Sequence, residues 1–65
     1  MKIRFLKSVL VDVQKARLDE VWDKQYSRWD ELNVESLSCS GKKATIYTTE
    51  GDTLIDVPVE AFEKV

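Results

Sequence analysis

The sequence predicts an all-β fold, a small barrel of five strands, and three observations carry that expectation. From Lys2 to Gln14 the apolar side chains fall on odd positions, Ile3, Phe5, Val9, Val11 and Val13, with only Lys7 breaking the series. Period two is the mark of a half-buried strand. From Asn33 to Val57 three β-rich runs are separated by Ser40-Gly41 and by Glu50-Gly51-Asp52, turns of the kind that join antiparallel strands. Between these regions residues 15–32 read as a long loop that bears acids and aromatics.

Taken in order, the first strand runs from Lys2 to Gln14, longer than the usual run of about five or six residues, so a bend or bulge is expected near Lys7-Ser8. Leu6 and Leu10 then cover a second surface. Residues 15–17 form a polar corner. In the next stretch Trp22, Tyr26 and Trp29 are spaced four and three apart, so a helix would put them on one face, whereas a single strand would point Trp22 and Trp29 to opposite faces. Read as a helix over about 18–31, Leu18, Val21, Trp22, Gln25, Trp29 and Leu32 line one side and Asp19, Glu20, Lys24, Arg28 and Glu31 the other. That alternative gives an α+β fold with the helix packed on a four- to five-stranded antiparallel sheet.

Asn33 to Cys39 is a strand carrying Val34 and Leu37, and Gly41 accepts the positive φ of a tight turn. Lys43 to Thr49 returns, with Ala44 and Ile46 on the face opposite Thr45 and Tyr47; Thr53 to Val57 completes a three-stranded meander. Pro58 ends that strand because it has no N–H for the ladder. Val59 to Phe62 suits one 3₁₀ turn, and Glu63-Lys64-Val65 a last short strand.

A long first strand, a long loop, a tight-turned meander, then Pro58, one turn with Phe62, and a closing strand: this order resembles the Src-homology-3-like small barrel. The resemblance spans nearly the whole chain and is one of element order, without a specific motif. Members of that group bind proline-rich peptides, methylated tails, nucleic acids or partner subunits, so the resemblance implies a binding role without choosing the ligand. The adjacent tryptophan pair of the peptide-binding family is missing; Lys42-Lys43 stand near its place.

Sixty-five residues make one domain, and a chain this short buries only about 60% of the surface it exposes when unfolded. That leaves little room for a deep catalytic cleft. The one cysteine, Cys39, has no partner for an internal disulfide, which points to a cytoplasmic compartment. No run approaches the roughly 20 apolar residues of a membrane span. The compact, linker-free chain is also what a phage-encoded or similar accessory protein would show. Net charge is −2 and unevenly spread: residues 1–29 carry seven Lys/Arg against four acids, and residues 30–65 three against eight. This is a poor general binder of phosphate backbone.

Chemistry is hard to assemble from these residues. There is no histidine, and Cys39 lacks a base, so no catalytic residue is assigned and no cofactor is implied. Asp19, Glu20 and Asp23 lack the alternating ligands and glycine of a calcium loop, and no metal site is assigned. Ser40-Gly41-Lys42 lacks the first glycine of a phosphate loop and reads as a turn. The Trp-Asp pairs at 22–23 and 29–30 stand seven residues apart, whereas propeller repeats recur at about 40.

The sequence therefore points to a non-catalytic protein-interaction module. Its expected contact surface comprises Trp22, Tyr26, Arg28 and Trp29, with Asp19, Glu20, Asp23 and Asp30, joined by Glu31, favouring a basic partner. Exposed strand edges also allow a homodimer. The rival reading is nucleic-acid binding through Lys2, Arg4, Lys7, Lys42, Lys43 and Tyr47.

Overall fold

The computed structural model describes residues 1–15 and 20–65. The long first run bends where expected: β1 (Lys2–Phe5) and β2 (Val9–Lys15) flank a break at Leu6–Ser8. The bend lets one alternating sequence serve two ladders. β1 pairs with β4 (Glu31–Ser40) and β7 (Phe62–Lys64), while β2 pairs with β3 (Val21–Tyr26) and β6 (Asp52–Pro58). The Leu6 N–H, turned out of both ladders, donates to the Ala61 carbonyl at 2.8 Å.

The segment expected as a long loop at 15–32, or alternatively as a helix, is corrected here. Residues 21–26 form β3, antiparallel to β2, with Val13 opposite Trp22, Val11 opposite Lys24 and Val9 opposite Tyr26. Trp22 and Tyr26, four apart, share a strand face as readily as a helix face, and the inward valines of β2 supply an apolar surface that an isolated helix would lack. Trp29 falls beyond the strand, in a turn. The polar corner at 15–17 lies largely outside the described residues, as do Leu18 and Asp19.

β4 is shared between ladders. Its first residues face β1, Leu32 opposite Ile3, and from Val34 onward it pairs with β5 (Lys43–Thr48), with a bulge between Val34 and Ser36. The expected turns hold: Gly41 at φ +63° joins β4 to β5, and Gly51 at φ +91° joins β5 to β6. A second bulge places Ile55 and Asp56 between the pairs Ile46–Leu54 and Ala44–Val57, and Asp56 takes φ +54° there. Pro58 leads into a 3₁₀ turn (Val59–Ala61), and β7 closes the chain against β1 with Phe62 opposite Phe5.

The all-β expectation is met, but five strands and a closed barrel are not. Among the described residues seven strands run in the order β3-β2-β6-β5-β4-β1-β7. Closure needs the two end strands to pair; among the described residues β3 is joined only to β2, and β7, three residues long, only to β1. The inward faces meet in one cluster built on Ile3, Phe5, Val13, Val34, Ile46, Leu54 and Val57, none more than 1% exposed. Burying each such side chain contributes about 1.5–3 kcal/mol. Tyr26 joins them, its ring stacked on Phe5 with centroids 4.7 Å apart and planes 11° from parallel. Among the described residues no helix is long and apolar enough to cross a membrane.

Candidate interaction surface

β3 must hand the chain back to β4, which starts beside β1, and it does so in the four-residue turn Ser27–Asp30. Two bonds close that turn: the Asp30 N–H donates to the Ser27 carbonyl at 3.1 Å, and the Ser27 N–H to Asp30 Oδ2 at 2.7 Å. Two more tie it to β1, the Trp29 N–H donating to the Phe5 carbonyl at 2.7 Å and the Phe5 N–H to the Asp30 carbonyl at 2.8 Å. Held this way, Trp29 adopts φ +75°. A left-handed conformation in a bulky residue costs on the order of 1–3 kcal/mol and persists only where the surroundings over-determine it.

The residue so positioned is 56% exposed, and the Arg28 guanidinium lies over its ring, 4.5 Å from the centroid. Other cations cover the remaining rings of the segment. Lys15 Nζ is 5.9 Å from the Trp22 ring and Lys24 Nζ 5.1 Å from that of Tyr26.

The expected contact patch is thus divided. Arg28 and Trp29 stand together at the turn. Tyr26 is not a surface residue: it is 5% exposed, and its phenol is pushed above its ordinary value by burial first and then by the charges of Asp52, Glu50 and Asp30. Trp22 is half-buried against the core. Asp30 is occupied by the Ser27 amide, and Glu31 pairs with Lys2 at 3.5 Å and Arg4 at 3.1 Å. Glu20 is exposed, and Asp19 lies outside the described residues. Asp23 points to the outer face of the sheet, directly across from Asp12. There the Asp12 carboxyl is raised above its ordinary value, most by its hydrogen bond with Asp23, then by lost solvation and by the charges of Asp23 and Asp56.

The basic set does not converge on one face either. Besides its contacts to Glu31, Arg4 reaches Glu63 at 3.7 Å, and Lys7 pairs with Glu60 at 3.4 Å. These pairs neutralise the first strand's positive charge. Tyr47 is 44% exposed on the outward face of β5, between Ser36 of β4 and Thr53 of β6. Lys42 and Lys43 lie elsewhere, beside a cavity of about 440 Å³ that they line with Pro58, Val59 and Glu60. Sequence reading passed over this cavity because Pro58 and Val59 come to the β4–β5 turn only by tertiary pairing: Lys43 lies opposite Pro58, and the Val59 N–H donates to the Lys42 carbonyl at 2.9 Å. It also passed over Phe5, whose backbone clamps the tryptophan turn. Comparison with known proteins finds no match to this chain among family models, curated proteins or solved structures.

Proposed function

We propose that the chain is a non-catalytic interaction module, a cytoplasmic accessory protein that binds a protein partner through the Ser27–Asp30 turn. The Trp29 ring is the anchor and Arg28 its polar companion. One observation carries this reading: a large aromatic residue, 56% exposed, is held on a backbone at φ +75°, clamped by hydrogen bonds to Phe5. Tryptophan and arginine are the residues that most often dominate interface energies, and a rigid anchor loses little entropy on binding. With Asp30 and Glu31 engaged internally, the charge beside the ring is that of Arg28. The partner surface it suits is neutral or acidic rather than basic.

The test is affinity capture from lysate of the source cell, with and without nuclease, comparing wild type with Trp29→Ala and with the double variant Lys2→Glu/Arg4→Glu. A discrete protein retained after nuclease and lost with a folded Trp29→Ala supports the proposal. Nuclease-sensitive capture abolished by the charge reversal refutes it in favour of nucleic acid.

A further inference from the structure

The lysines and arginines of the described residues sort into three groups. Lys2, Arg4 and Lys7 face carboxylates, and Lys15, Lys24 and Arg28 lie over aromatic rings. Lys42, Lys43 and Lys64 have neither kind of neighbour among those residues. Two of these three stand side by side at the rim of the 440 Å³ cavity, a volume within the range of about 300–1,000 Å³ common to ligand sites. The cavity wall is mainly apolar, from Pro58 and Val59, and its one acid, Glu60, is turned to Lys7 at 3.4 Å. Its two sides are joined by the Val59–Lys42 backbone bond. An apolar wall beside two adjacent cations is complementary to an apolar side chain flanked by carboxylates.

We propose that this groove binds an extended acidic peptide segment of a partner protein, an apolar side chain resting on Pro58 and Val59 while neighbouring Asp or Glu carboxylates meet Lys42 and Lys43. The proposal rests on the interaction-module reading and names the chemistry of the partner. It adds a second contact to the Trp29 turn. A phosphate backbone would satisfy the lysines but leave the apolar wall uncovered, which favours peptide over nucleic acid.

The experiment titrates the isolated protein by amide-resolved NMR with three probes at matched salt: a short blocked peptide of alternating aspartate and leucine, its lysine–leucine counterpart, and a short single-stranded oligonucleotide. The expected result is saturable shifts at Lys42, Lys43 and Val59 with the acidic peptide alone. Lys42→Glu/Lys43→Glu should weaken its binding about tenfold or more, while Lys42→Arg/Lys43→Arg and Trp29→Ala leave it within about twofold. All substituted lysines are exposed, so the variants should retain the wild-type spectrum elsewhere. Shifts with the oligonucleotide alone, or no saturable binding of the acidic peptide, overturn the proposal. Acidic-peptide binding that maps to Ser27–Asp30 and is lost with Trp29→Ala also overturns it, while leaving the interaction module standing. A partner capture that fails while the groove still binds the peptide would instead overturn the Trp29 reading alone.

Discussion

Trp29 donates its backbone N–H to the Phe5 carbonyl at 2.7 Å while the residue as a whole remains 56% exposed. Backbone and side chain therefore have separate tasks: the first closes β1 onto the turn, and the second is left for contact. Replacing the side chain should spare the fold. Trp29→Ala is expected to change stability by less than about 1 kcal/mol, and Trp29→Gly, which adopts φ +75° without strain, should melt above Trp29→Ala by about 1 kcal/mol equivalent. Thermal melts decide this; a collapse of Trp29→Ala would make the ring structural.

The Phe5–Tyr26 stack makes the opposite demand, because both rings are buried. Tyr26→Ala should cost about 3–5 kcal/mol, a large share of what a domain this small can hold. Tyr26→Phe keeps the stack and should be close to neutral at pH 7.

The Tyr26 phenol also sets an alkaline limit. Its folded value is raised above 10.0, so once pH exceeds 10.0 the unfolded chain loses this proton before the folded one does. Stability is full below that point and falls as pH rises toward the folded value. In denaturant titrations between pH 9 and 11, Tyr26→Phe should show a shallower decline than wild type; identical slopes would refute the assignment.

Asp12 and Asp23 give a prediction of like sign at acid pH. Two carboxylates face each other across β2 and β3, and the folded Asp12 holds its proton more tightly than the ordinary 3.8. Ionisation at neutral pH therefore works against the fold, and the penalty is relieved as pH falls through the folded value. Asp23→Asn should raise the melting temperature at pH 7 and remove that contribution to the pH profile. A lower melting temperature at pH 7 would show that the pair supports the fold.

Much of the architecture was legible along the chain. Alternation placed Ile3, Phe5, Val11 and Val13 inward, and the return strand showed Ala44 and Ile46 on the face opposite Thr45 and Tyr47; all six apolar residues are buried. Gly41, Gly51 and Pro58 marked turns because each has a backbone property that acts within its own few residues. Of the contact surface, Arg28 and Trp29 emerged as a pair, whereas Tyr26 and most of the acids did not.

What the sequence by itself determined was every feature set by local stereochemistry: the strands on either side of residues 15–32, the meander, the bend near Lys7, the proline-terminated strand and its 3₁₀ turn. The tertiary structure alone decided the fate of Trp22, Tyr26 and Trp29, whose spacing suits either a helix or a strand. The choice came from partners distant in sequence, the inward valines of β2 and the ring of Phe5, which β3 covers. It likewise decided which charges are neutralised, since Glu31 and Glu63 reach Arg4 only once β4 and β7 lie on either side of β1. Burial and pairing energies depend on neighbours that the chain acquires by folding, and no local pattern encodes who those neighbours will be.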